Sequence, residues 1–143
     1  MKVRYSSSEL YSVEIDIEKH EKVFMALPKL LITGCNGLVG KILWENLKDT
    51  FDLYGLDISS GSASEKILQA DISEYKQVES AFKQIPSLTY IVHLAGNPRM
   101  DADWDSVFIN NIGGTKNIYE AARVFGVKRI VFASSNHAHN ERI

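Results

Sequence analysis

Leu30-Leu31-Ile32-Thr33-Gly34-Cys35-Asn36-Gly37-Leu38-Val39-Gly40 is a short apolar run that ends in three glycines spaced three apart, with an amphipathic helical pattern directly behind it. Such a run reads as a buried parallel strand feeding a tight turn. Glycine there lets the backbone take a positive φ and, without a Cβ, lets a ligand come close. The helix that follows offers unpaired N–H groups and the positive end of its dipole, which together suit a phosphate. Glycines that only shape a loop are one rival reading. A mononucleotide P-loop is another, since Gly40-Lys41 matches the end of that motif, but its first glycine would fall on Cys35 and Ile42 stands where Ser or Thr should bind magnesium. The dinucleotide reading survives, with a spacing that differs from G-x-G-x-x-G.

The chain has 143 residues, 45% hydrophobic and 24% charged, so it can build one globular core. A net charge of −2 gives no electrostatic footprint for nucleic acid. No apolar run approaches the roughly 20 residues that span a bilayer, and the N-terminus lacks a signal-peptide core. The single cysteine leaves no disulfide within the chain. A soluble cytoplasmic protein is the expectation, with no nucleic-acid or membrane partner.

Downstream of residue 28, strand and helix patterns alternate. Residues 30–33, 51–56, 66–70, 90–94 and 128–133 read as strands. The first helix carries Leu38, Val39, Ile42, Leu43 and Leu47 as its sheet-facing stripe, and the second runs over 74–85 until Pro86 stops it. A long helix over 103–125 ends at Gly126, placed as its C-cap. Gly113 and Gly114 inside it cost about 1 kcal/mol each relative to alanine, which suggests a neighbouring backbone packed close there. Alternation of this kind means right-handed βαβ units, hence a Rossmann-type doubly wound parallel sheet of order 3-2-1-4-5. Residues 1–27 lie outside the pattern; residues 10–17 alternate like a half-buried strand and read as an appended edge strand or arm. The domain expectation is an extension over 1–27 and a nucleotide-binding domain over 28–143.

Asp57 lies 23 residues after Gly34, at the end of the second strand, where a carboxylate accepts hydrogen bonds from the ribose of NAD. It argues against NADP: at roughly 4 Å a carboxylate and a 2′-phosphate repel by about 4 kcal/mol per charge pair at an effective dielectric of 20. No arginine follows in Ile58-Ser59-Ser60 to offset it. The competing reading has Asp57 capping a turn. Asp71 fits the next position, near adenine. His93 reads as a packed core histidine, and His20, His137 and His139 as ordinary surface or tail residues, so no metal site is expected.

These residues carry a resemblance. Thr33 to Gly40 resembles the TGxxGxxG fingerprint of extended short-chain dehydrogenases/reductases, the NAD-dependent epimerase/dehydratase family. Asp71-Ile72, Val92-His93-Leu94-Ala95-Gly96, Asn111-Ile112-Gly113-Gly114-Thr115-Lys116-Asn117 and Val131-Phe132-Ala133-Ser134-Ser135 resemble its later motifs in order, and Ser-Ser-Asn-His is similar to uronate dehydrogenases. The resemblance implies that Gly34, Gly37 and Gly40, with amides near Asn36 and Leu38, hold the pyrophosphate of NAD. It implies that Asp57 binds the ribose, Asp71 and Ile72 flank adenine, and Leu94, Ala95 and Gly96 line the nicotinamide side, with Ile58 and Asn111 also among the cofactor-binding positions. Ser135 matches the catalytic serine.

The family's Tyr-x-x-x-Lys pair has no match, because none of Tyr5, Tyr11, Tyr54, Tyr75, Tyr90 and Tyr119 is followed by lysine four residues on. The expectation is therefore the NAD-binding part of a nucleotide-sugar epimerase, dehydratase or uronate-type sugar dehydrogenase, cut short after its fifth strand, without its substrate domain and inactive alone. The alternative is a non-catalytic NAD-sensing or protein-interaction module. In the family the long helix pairs with the following one at a subunit interface, so the resemblance also implies a homo-oligomer.

Overall fold

The computed structural model describes residues 2–6, 12–16, 26–59 and 65–134. Strands β1 (Lys2–Ser6) and β2 (Ser12–Asp16) pair antiparallel with each other, as a separate two-stranded sheet. Within the alternation read at residues 10–17, Ser12–Asp16 is thus a strand, but it forms no edge of the main sheet.

The main sheet is parallel. Its strands are β3 (Lys29–Thr33), β4 (Asp52–Asp57), β5 (Ile67–Gln69), β6 (Leu88–His93) and β7 (Arg129–Phe132), in the order β5-β4-β3-β6-β7. Counted from the glycine-rich strand this is 3-2-1-4-5, the expected doubly wound order. The order reverses direction at β3, so a crevice opens beyond the carboxyl ends of β3 and β6.

Side chains alternate across β3. Leu31 enters one core with Leu56, Ile72, Val78, Phe82, Ile91, Ile118 and Ala122, beneath helices α2 (Tyr75–Lys83) and α4 (Gly114–Val124). Leu30 and Ile32 enter the other, with Leu53 and Cys35, against α1 (Leu38–Leu47). Burial on both faces explains why these strands read as unbroken apolar runs.

The face of α1 departs from expectation. Gly40 is its buried residue and Leu43, Trp44 and Leu47 pack on the core, whereas Leu38, Val39 and Ile42 are 80%, 54% and 54% exposed. The spacing 40, 43, 44, 47 is itself a helical stripe; a glycine had masked its first member. Position 40 has to be glycine. A Cβ there would run into the carbonyl oxygen of Gly34 and sit 2.7 Å from the Cα of Cys35, so the helix rides directly on the loop.

The long helix is a composite. Helix α3 (Trp104–Val107) passes into a π-helical segment, Phe108–Gly113, and then into α4. It closes in a Schellman motif: Val127 N–H reaches Ala122 O at 2.9 Å, Gly126 N–H reaches Arg123 O at 3.4 Å, and Gly126 takes φ +70°. The close neighbour expected at Gly113 and Gly114 is a side chain, not a backbone. A Cβ on Gly114 would lie 2.6 Å from Ile72 Cδ1 and 2.7 Å from its Cγ1, while Gly113 has room for one.

Candidate functional site

Above the switch point lies a cleft of about 710 Å³. It is walled by the glycine loop, the ends of β4 and β5, and the segment after β6. Every expected cofactor position except Asn111 lines it, namely Gly34, Asn36, Gly37, Leu38, Gly40, Asp57, Ile58, Asp71, Ile72, Leu94, Ala95 and Gly96.

The floor is a turn that other residues would distort. Gly34 has φ +70°, and a Cβ on it would lie 2.9 Å from Ala95 N. Gly37 is the N-cap of α1 without a side-chain cap, and the first turn of that helix carries no acidic residue. The N–H groups of Leu38, Val39 and Gly40 find no backbone or side-chain acceptor among the described residues, while Lys41 N–H already bonds Gly37 O. A glycine cradle beneath three unpaired amides fits a pyrophosphate, which needs donors and close backbone approach.

One expected donor is committed elsewhere. Asn36 N–H donates to Asp57 Oδ2 at 3.0 Å, so it ties the loop to the end of β4. Asp57 Oδ1 also accepts from Ser59 N–H at 3.0 Å and from its hydroxyl at 2.8 Å, and Asn36 Nδ2 donates to Ser59 O and Oγ. Asp57 therefore caps a turn and also lines the cleft. An ionised carboxylate has about four acceptor sites, and these three bonds leave one on Oδ2.

Asp71 repeats the geometry. Its Oδ1 accepts from Ser73 N–H at 2.9 Å and from Ser73 Oγ at 2.7 Å. Asp-Ile-Ser occurs at both 57–59 and 71–73, a sequence signal that marks two equivalent turns side by side on the cleft wall. Ile72 packs inward on Gly114, and its carbonyl accepts from Asn117 Nδ2 at 2.9 Å.

The other wall hangs from a buried relay. Thr33 Oγ1 lies 2.6 Å from His93 Nδ1 and accepts from Leu94 N–H and Ala95 N–H, both at 3.2 Å; His93 Nε2 lies 3.0 Å from Thr115 Oγ1. Thr33 and His93 are fully buried, and burial pushes the imidazole pKa down to about 4. His93 is the core histidine the sequence suggested. Burial pushes the Cys35 thiol up to about 11, so it stays protonated and packs against Gly55.

Asn111 stands behind the cleft rather than in it. Its Oδ1 accepts from Asn97 N–H at 2.6 Å and its Nδ2 donates to Asn97 O at 3.1 Å, which clamps the backbone that follows Gly96. Asn97, Pro98 and Asn110 line the cleft and were not singled out from sequence, although Asn97-Pro98 is a visible turn signal. Ser135, His20, His137 and His139 lie outside the described residues.

A switch-point crevice over a glycine cradle, with a carboxylate at the end of the neighbouring strand, defines a dinucleotide-binding α/β domain. Comparison with known proteins makes the assignment specific. Residues 30–141 match the model of the NAD dependent epimerase/dehydratase family, and the chain belongs to that family. It is 37% identical to the NAD-dependent glucose-6-phosphate dehydrogenase of Haloferax volcanii, over 76% of this chain and 44% of the relative. It is 36% identical to an L-arabinose 1-dehydrogenase (NAD(P)(+)) of the same organism, over 79% and 43%. A mutant uronate dehydrogenase from Agrobacterium tumefaciens, solved with NAD, superposes with a TM-score of 0.69 at 34% identity, over 78% of this chain and 42% of that one. The chain thus spans less than half the length of these relatives.

Proposed function

We propose that residues 28–143 are the NAD-binding half of a sugar dehydrogenase of the uronate or aldose type, supplying cofactor binding but not proton transfer. The observation that carries this reading is the 3.0 Å bond from Asn36 N–H to Asp57 Oδ2. It ties the carboxylate to the glycine loop, on the same cleft as the unpaired amides. Leu38, Val39 and Gly40 offer their amides to the pyrophosphate, Asp57 keeps one acceptor site for a ribose hydroxyl, Asp71 and Ile72 border adenine, and Leu94 to Gly96 flank the nicotinamide. NAD, when bound, supplies the hydride acceptor. Ser135 would hold the substrate oxygen, and no tyrosine of this chain has the paired lysine that favours its phenolate.

Calorimetric titration with both cofactors tests the assignment. NAD should bind at least tenfold tighter than NADP, about 1.4 kcal/mol; equal or reversed affinities would remove Asp57 from the ribose. Residues 1–143 with NAD and glucuronate or glucose 6-phosphate should release no NADH. Steady NADH production that Ser135→Ala abolishes would refute the view that this half only binds.

Trp104, Phe108, Ile112 and Tyr119 form an exposed band along the composite helix. We assign that band to contact with a second copy of the chain. Light scattering at micromolar concentration should show a dimer or larger species that Phe108→Asp converts to monomer, and a monomeric wild type would overturn the assignment.

A further inference from the structure

A buried hydroxyl can be counted. Thr33 Oγ1 accepts the N–H of Ala95 and shares the N–H of Leu94 with its own main-chain carbonyl. If His93 Nδ1 also donated to it, the oxygen would face three N–H groups and the hydroxyl proton would have no acceptor. With the proton pointed at Nδ1, every group is matched: Thr33 donates to Nδ1, the amides donate to Thr33, and Nε2–H donates to Thr115 Oγ1. The accounting therefore selects the neutral Nε2–H tautomer. A protonated ring would need an acceptor at Nδ1, where the hydrogen-bonding partner among the described residues is a hydroxyl that already accepts from two amides.

We infer that His93 is a positioning residue for the nicotinamide-side wall: as the neutral Nε2–H tautomer it orients Thr33 to hold the Leu94 and Ala95 amides, and its protonation releases that wall and weakens dinucleotide binding. Among the described residues the groups that meet the ring are uncharged, Thr33 from β3, Thr115 from α4 and Phe132 from β7, whose ring stacks at 5.6 Å. Burial alone depresses its basicity. The ring is thus shielded at neutral pH, and among the described residues no carboxylate meets it to compensate when acid acts. The link to binding rests on the dinucleotide reading above; the tautomer and the state of the wall do not.

Nitrogen-15 spectra of the imidazole and amide hydrogen exchange of the whole chain test it. The expected result is an Nε2–H ring at pH 7 with no titration down to pH 5. Towards pH 4, the protection factor at Ala95 should fall at least tenfold, and that at Leu94, which still shares the Thr33 carbonyl, by less, before those of Ile91 and Ile118 change. In His93→Asn, whose Oδ1 can still accept from Thr33, the two amides should stay protected, and their pH dependence should flatten. An Nδ1–H tautomer, ordinary titration near pH 6.5, simultaneous loss at all four amides, or an unchanged pH dependence in His93→Asn would each overturn the inference. Calorimetry at pH 7 and pH 5 to 4 adds the functional arm: NAD affinity should fall more steeply with acid in the wild type than in His93→Asn, and equal slopes count against the inference. Absence of NAD binding at pH 7 would refute the dinucleotide reading alone, and the spectroscopic arms would still decide the role of His93.

Discussion

Gly114→Ala should be destabilising even though alanine is the better helix former. At φ −61° and ψ −46° the backbone is ordinary helix, so propensity alone would favour alanine by about 1 kcal/mol. Against this, the new Cβ would meet Ile72 Cδ1 at 2.6 Å and Cγ1 at 2.7 Å. Cδ1 can swing away, but Cγ1 moves only by turning χ1 in a buried site, and overpacking of this kind costs about 1–3 kcal/mol. The net effect is a loss of up to about 2 kcal/mol, and the displaced Ile72 also borders the cleft. Ile72→Ala removes both clashing atoms. In that background Gly114→Ala should gain stability by about 1 kcal/mol, so the coupling across the double-mutant cycle is about 1–3 kcal/mol. Urea denaturation of the four proteins measures it. Equal effects of Gly114→Ala in both backgrounds, within about 0.5 kcal/mol, would show that the glycine is not there for Ile72.

Gly40→Ala meets main chain rather than a side chain, with Cys35 Cα at 2.7 Å and Cys35 C at 2.8 Å, so no rotamer relieves it. It should cost at least about 3 kcal/mol on the overpacking scale and abolish NAD binding, by denaturation and calorimetry. Ser87, at φ +62°, is the one described non-glycine residue with positive φ, and Ser87→Gly should raise the urea midpoint by an amount worth about 1 kcal/mol. Well above pH 6.5 His93 is neutral in both folded and unfolded chains and adds no pH dependence. As pH falls from 6.5 towards 4 the unfolded chain takes up a proton that the folded one refuses, so stability drops, by about 3 kcal/mol in all. The urea midpoint of the wild type should fall relative to that of His93→Asn across that window, and the shift should level off below it.

The parallel sheet, its order and most cleft residues were legible because they rest on short-range signals: apolar runs, glycines at a turn, a carboxylate at a fixed distance along the chain. What escaped depends on contacts between distant segments. The sheet-facing edge of α1 was misread because its deepest member, Gly40, carries no side chain to score as apolar. Asn36 was read as a free donor, but its amide is committed to Asp57, 21 residues later. Asn111 carries a motif position into the structure and then acts at one remove, through Asn97. Thr33 was visible as the first residue of a fingerprint, yet its work depends on His93 and Thr115, sixty and eighty-two positions away.

The π-helical segment at Phe108–Gly113 has a consequence of its own. Each residue added to or removed from a helix turns everything beyond it by about 100°. Ahead of this segment Ser106 holds Asn97 Nδ2 at 2.8 Å, within it Asn111 clamps the Asn97 backbone, and beyond it Ile118, Ala121 and Ala122 face the core. Here chain length sets a phase angle between cleft and core. Substitution can weaken either grip, but only insertion or deletion can change the angle. A single residue lost between 108 and 113 would leave both halves helical and every side chain chemically intact, with one of the two faces turned away from its partner.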